Sequence, residues 1–300
     1  MEVMAVTAHG GPVRWWGALI FLLALAGVAP TGWSRAAAME ADLHTETIVA
    51  WEHYIALTEA RIDAELALEG DERFLAQDFR DDAAEARRAL LTGAVRIDRL
   101  QTRDADGDQP DVPKGAIHHW LGRVLVPGVT LDQLMHAVMG AVPPHELQPD
   151  VLESRILEQE GNSRRVFLRL RREAMFTVHY HTEHDVLFTR RGDGRWSSLS
   201  VATRIAELED AETADEREKP IGNDRGFLWR LNSYWRYQQV DEGVIVECES
   251  VSLSRSVPAM LRWMIGPIIN RTARETLTAT LTSMSDVLQE RAPLELPAAE

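Results

Sequence analysis

The chain has 300 residues, 45% of them hydrophobic and 26% charged, with a formal net charge of −15 at neutral pH. That length and apolar content support one or two domains with a real core. The basic residues are nearly all Arg, Lys114 and Lys219 being the lysines, and no basic run builds a phosphate-neutralising face, so nucleic acid is not an expected partner. The single cysteine, Cys248, allows no internal disulfide, and packing must hold the fold.

Arg14 precedes an uncharged apolar run from Trp15 to Ala29, and the small residues Ala36-Ala37-Ala38 follow, the arrangement of an export signal cleaved near Ala38. A periplasmic or secreted protein with no stable membrane insertion after cleavage is the expectation. No charge falls between Trp15 and Ser34, so a retained N-terminal anchor is the alternative. Ile48, Trp51, Ile55, Ile62 and Leu66 then recur at helical spacing over 45–68, and a second helical stretch runs from about Asp82 to Leu91 before the strand-like 94–100. Asp104 to Gly115 combines four Asp with Gly107, Pro110 and Pro113 and reads as a linker. The predicted layout is a signal peptide over 1–38, a helical extension with linker over 39–112, a main domain over 113–290 and a disordered tail over 291–300.

Beyond the linker the pattern turns to strands. Ile117 to Val126 is β-prone, and Thr130-Leu131-Asp132-Gln133 has the form of a capping box opening a short helix. Strand-like runs follow over 151–159, 164–175, 176–190, 195–208, 226–240 and 243–255, with turn signals between most of them. The acidic stretch Glu209 to Glu218 reads as a solvated excursion. From Ser256 the pattern becomes helical, is expected to break at Gly266-Pro267, and continues to about Gln289 with the stripe Ile269, Ala273, Leu277, Leu281, Met284 and Leu288. That stripe needs an apolar partner, and the preceding sheet is the available one.

Several strings carry a resemblance: Ile117-His118-His119-Trp120, Pro149 to Ser154, Gly226 to Arg236 and Val246 to Arg255. They resemble a branch of exported bacterial proteins with a START-like domain, in the superfamily of polyketide cyclase-like and lipid-transfer proteins (SRPBCC). The resemblance implies an α+β helix-grip fold: a curved antiparallel sheet with a long C-terminal helix, here preceded by a helical extension. It also implies an interior pocket, and no catalytic residues carry over with it.

Within 226–240 one strand parity presents Phe227, Trp229, Leu231, Ser233, Trp235 and Tyr237, which are expected to face the helix and a cavity for an apolar ligand. Ordinary core packing is the competing account of the same aromatics. Glu247 and Glu249 share a parity with Ile245, Val251 and Leu253; facing inward they need Arg230, Arg236 or Arg204 as partners, and facing outward they pair on the sheet surface. Arg204, Tyr234 and Glu249 are the cavity groups that an enzyme of this type, cyclase or hydrolase-like, requires to converge. His179, His181, Glu183 and Asp185 alternate on one side of a strand and form a weak metal candidate. Asp104 to Asp108 begins like a calcium loop, but Gln109 and Gly115 stand where Gly and Glu are needed. With no GxSxG string and no phosphate-binding glycine loop, no cofactor is expected. The leading expectation is a non-enzymatic carrier or sensor of a lipid-like or aromatic small molecule; an enzyme and an envelope interaction module are the alternatives.

Overall fold

The computed structural model describes residues 41–68, 73–173, 177–257 and 262–295. The predicted leader and the end of the predicted tail lie outside the described residues. A short strand β1 (Ala41–Asp42) leads into helix α1 (Thr45–Leu66), a 3-10 turn at Ala76–Phe79, helix α2 (Ala83–Leu91) and strand β2 (Arg96–Arg99). Next come β3 (Gly115–Pro127), α3 (Leu131–His136), a π turn at Ala137–Ala141 and α4 (Pro144–Leu147). The remaining strands are β4 (Val151–Glu160), β5 (Ser163–Glu173), β6 (Thr177–Arg190), β7 (Arg195–Glu209), β8 (Arg217–Glu218), β9 (Asn223–Asp224), β10 (Arg230–Val240) and β11 (Gly243–Arg255), and helix α5 (Arg262–Glu295) follows.

The strands lie in the order β2-β3-β11-β10-β7-β6-β5-β4, antiparallel throughout, with β8 folded beside β7. Hairpins explain most neighbours, and the return of β11 to β3 brings the first long strand beside the last. Bulges at Val151/Glu153, Ile156/Glu158 and Glu183/His184 bend the sheet into a cup. The predicted capping box is present: the Gln133 N–H donates to Thr130 Oγ1 at 3.2 Å and the Thr130 N–H to Gln133 Oε1 at 2.9 Å.

Helix α5 closes the concave face. Leu281, Met284 and Leu288 are buried among Val124, Val126, Val246 and Cys248. The fit is tight at Gly122, where an added Cβ would stand 2.6 Å from Leu281 Cδ1 and 2.9 Å from Leu277. The expected break at Gly266-Pro267 does not occur, since α5 runs through it. Pro267 falls in the second turn, where it removes one backbone bond without ending the helix.

The convex face is closed by the N-terminal segment. Trp51, Tyr54, Ile55 and Ile62 of α1 pack on Trp229, Tyr234, Val251 and Leu253, while Phe74, Leu75 and Leu90 pack on Leu125 and Ile245. Between these two apolar clusters lies a polar layer. Glu247 accepts the N–H groups of Ala76 (2.6 Å) and Gln77 (3.1 Å). Arg123 is paired with Gln77 and Asp98, and Arg61 with Glu249 and Glu65. Arg236 donates to the Phe74 carbonyl at 2.8 Å and to Glu65 at 2.5 Å.

Two stability effects follow. Gly122→Val forces α5 away from β3 and should lower unfolding stability by about 1–3 kcal/mol, the usual cost of overpacking; an unchanged urea midpoint would contradict the tight seat. Arg236→Met removes the cation opposite the buried Glu247 and one of the two that hold Glu65, and should cost about 3–5 kcal/mol in the same measurement.

Candidate functional site

Between the concave sheet face, the π turn and α5 lies a cavity of about 190 Å³. Strand alternation builds it. Val166 and Leu168 of β5, His184, Val186 and Phe188 of β6, Ser198 and Ser200 of β7, and Trp235 and Tyr237 of β10 present one parity each to the interior. Met284 of α5, with Val138 and Val142, covers them. The Trp235 and Tyr237 rings stand nearly parallel, with centroids 6.4 Å apart and planes 6° from each other.

The polar groups of the lining are mostly matched to one another. Tyr237 Oη and Ser198 Oγ are 3.3 Å apart, and burial pushes the Tyr237 hydroxyl pKa up, so it stays protonated. His184 Nε2 lies 3.0 Å from Thr182 Oγ1, and its Nδ1 lies 3.4 Å from Ser200 Oγ. Burial, with the charge of Arg172 as a second cause, lowers the His184 pKa to about 4, so the ring is neutral at pH 7. Arg164 is the exception, a guanidinium that lines the same cavity and is 6% exposed.

Of the residues that the sequence offers for ligand contact, Trp235 and Tyr237 line this cavity. Leu231 shares their parity but packs with Val151, Leu170, Val178 and Tyr180 farther along the sheet, and Ser233, also of that parity, is not among the lining residues. Trp229 lies on the opposite face, against α1, with its indole N–H donating to Asp224 at 3.0 Å. The reason is local: β10 begins at Arg230, and the 226–229 segment, with Gly226 at φ 71°, enters out of register with the strand's alternation.

Arg204, Tyr234 and Glu249 do not converge in the cup. Arg204 is paired with Glu218 of β8 and lies opposite Glu183 on the outer face. Tyr234 donates to Glu59 of α1 at 2.9 Å. Glu249 is held by Arg61 and by His119 Nε2 at 2.7 Å, within a chain running from the Thr102 N–H through Tyr54 Oη to His119 Nδ1. Burial raises the Glu249 pKa, but the His119 hydrogen bond and the Arg61 charge outweigh it and hold the carboxyl below its usual value. Glu247 and Glu249 therefore face outward, yet are only 1% and 2% exposed, because the N-terminal segment covers them. Arg230 also stays out of the cavity, donating to the Trp229 carbonyl.

The HxH string assembles no metal site. His179 approaches Glu212 at 3.5 Å, His181 pairs with Glu218 at 2.9 Å, and Asp185 with Arg165 at 2.9 Å. Same-face residues of a strand stand about 7 Å apart, so each finds its own partner. Among the described residues no group of three or more His, Cys, Asp or Glu is placed to hold a metal. Cys248 is buried in the core under α5, where burial pushes its thiol pKa up. Arg164, His184, Ser198 and Ser200 escaped the sequence reading: each sits in a charged or small-polar strand context, and only the pairing of β5, β6 and β7 brings them together.

No family model and no curated protein matches the chain. Among solved structures it is similar to a STAR-related lipid transfer protein from Xanthomonas axonopodis, with 19% identity and a TM-score of 0.43, over 64% of this chain and 98% of that one. Human StAR-related lipid transfer protein 5 follows at 13% identity and a TM-score of 0.41, over 81% and 98%. The Zhui aromatase/cyclase of a Streptomyces species has 15% identity and a TM-score of 0.35, over 61% and 98%. Likeness of this degree carries neither ligand nor activity to this chain. The strand order and the closing helix are those of the START-like helix-grip fold.

Proposed function

We propose that the protein is an exported, non-enzymatic binding protein that holds a small apolar or amphipathic molecule inside the cup. The observation that carries this reading is the cavity of about 190 Å³ walled by Val166, Val186, Phe188, Trp235 and Met284, with a few fixed polar groups among them. Concave, largely apolar space with sparse oriented polar groups is the usual form of a small-molecule site. Such sites commonly measure about 300–1,000 Å³ for drug-sized ligands, so this one favours a short acyl or single-ring body over a full lipid. The run from Trp15 to Ala29 supports export.

Solvent extraction of the purified protein followed by mass spectrometry should release a bound apolar molecule. Val166→Phe fills part of the cavity and removes no hydrogen bond, because a valine side chain has neither donor nor acceptor; it should weaken ligand uptake at least tenfold while the protein stays folded. Unchanged uptake in a folded Val166→Phe protein, or an empty wild-type protein that takes up no apolar probe, would remove the reading.

The neutral His184 gives the site a pH signature. Its pKa is about 4 in the folded protein and about 6.5 in an unfolded chain. Below the unfolded value the unfolded state binds the extra proton, so this residue's contribution is whole above pH 6.5 and is lost as pH falls toward 4. The full effect is about 3 kcal/mol. His184→Gln should flatten the fall in melting temperature between pH 7 and pH 4.5; equal acid sensitivity of both proteins would count against a buried neutral ring.

A further inference from the structure

The guanidinium of Arg164 lines the cup, and no acid among the described residues pairs with it. It is 6% exposed, its Nε has no hydrogen-bond partner, and among the described residues no carboxylate or carbonyl meets its other nitrogens. Its Cζ lies 5.2 Å from the centroid of the Phe188 ring. Two other guanidiniums buried among the described residues are paired: Arg123 with Asp98, and Arg236 with Glu65. A buried cation without an anion is strongly unfavourable, and burial accordingly lowers the Arg164 pKa from the ordinary guanidinium value.

The surroundings make room for this cation without neutralising it. A Cβ at Gly140, in the π turn, would stand 3.3 Å from Arg164 Nη1, and the glycine leaves that space clear. The neighbouring polar groups, His184, Ser198, Ser200 and Tyr237, supply hydrogen bonds and no negative charge.

We propose that the cup binds an amphipathic carboxylic acid, with the carboxylate on the Arg164 fork and the apolar body among Val186, Phe188, Trp235 and Met284. This rests on the binding role proposed above and names the chemistry of the ligand. A carboxylate matches one guanidinium in charge and in its two parallel N–H to O bonds. Among the described lining residues Arg164 is the one guanidinium, so a phosphate dianion would bring a second charge into the cavity that no lining cation meets.

The test is calorimetric titration of the purified full chain at pH 7.5 with octanoate, 1-octanol and octyl phosphate, which share one apolar body. Octanoate should bind at least tenfold tighter than 1-octanol. Arg164→Met should bring octanoate down to the level of 1-octanol, leave 1-octanol unchanged, and raise the melting temperature of the ligand-free protein. Equal binding of octanoate and 1-octanol by the wild type would overturn the carboxylate assignment and leave the apolar binding role standing. A preference for octyl phosphate would also overturn it. If neither octanoate nor 1-octanol binds, both readings fall. The wild-type ratio decides the matter even where Arg164→Met does not fold.

Discussion

Two carboxylates on the central strand β11 govern how the molecule is built. Glu247 and Glu249 stand at alternate positions on the convex face, each almost completely buried. Burial pushes the Glu247 pKa up to about 7 even with Arg236 opposite and two backbone N–H groups on its oxygens. Uncovered by protein, such groups would face water at no penalty; covered without partners, each would cost several kcal/mol. The partners come from before the cup: Arg61, the turn at Ala76–Phe79, and Glu65 acting through Arg236. A domain stable by about 5–15 kcal/mol cannot lose that set of contacts cheaply. Strand β2 extends the same sheet beside β3, so the N-terminal segment and the cup bury one another.

Strand alternation then separates two kinds of chemistry. Along β10, Tyr234 and Arg236 point into the ionic layer beneath α1, while Trp235 and Tyr237 point into the cavity. Along β11, Glu247 and Glu249 face outward and Val246 and Cys248 lie under α5. A one-residue slip would exchange these faces and drive carboxylates into the apolar core, so the charged layer also fixes the register. Its partners ensure that the concave face is left with mostly neutral groups.

Much of this was legible in the sequence. Turn signals and alternation located the long strands to within a few residues, and Leu281, Met284 and Leu288 marked the face of α5 that meets the sheet. The capping box at Thr130 was equally plain, because its two hydrogen bonds join residues three apart. Trp229 was misplaced because parity holds only inside a ladder, and its segment enters β10 off register. Glu247 and Glu249 could not be placed from alternation alone, since what decides their burial is a turn about 170 residues earlier. The polar buried residues of α1, Thr47, Tyr54 and Thr58, broke the apolar stripe for the same reason: their partners are distant in sequence.

The size of the cavity constrains its occupant more sharply than its polarity does. Four of the strands that wall it, β5, β6, β7 and β10, form a continuous antiparallel ladder and cannot separate without losing backbone hydrogen bonds. Enlargement has to come from the remaining side, formed by the π turn, the Pro143–Gln148 segment and Met284. Gly140 gives that side a backbone joint at φ 138°, and an unbranched Met can repack around different shapes. Met284 is the part of the apolar lining that can yield, while β5 anchors the backbone of Arg164, whose Nη1 reaches the space that Gly140 leaves clear. Under the carboxylate proposal, an interior arranged this way would tolerate variation in the ligand's body and fix the position of its charged head.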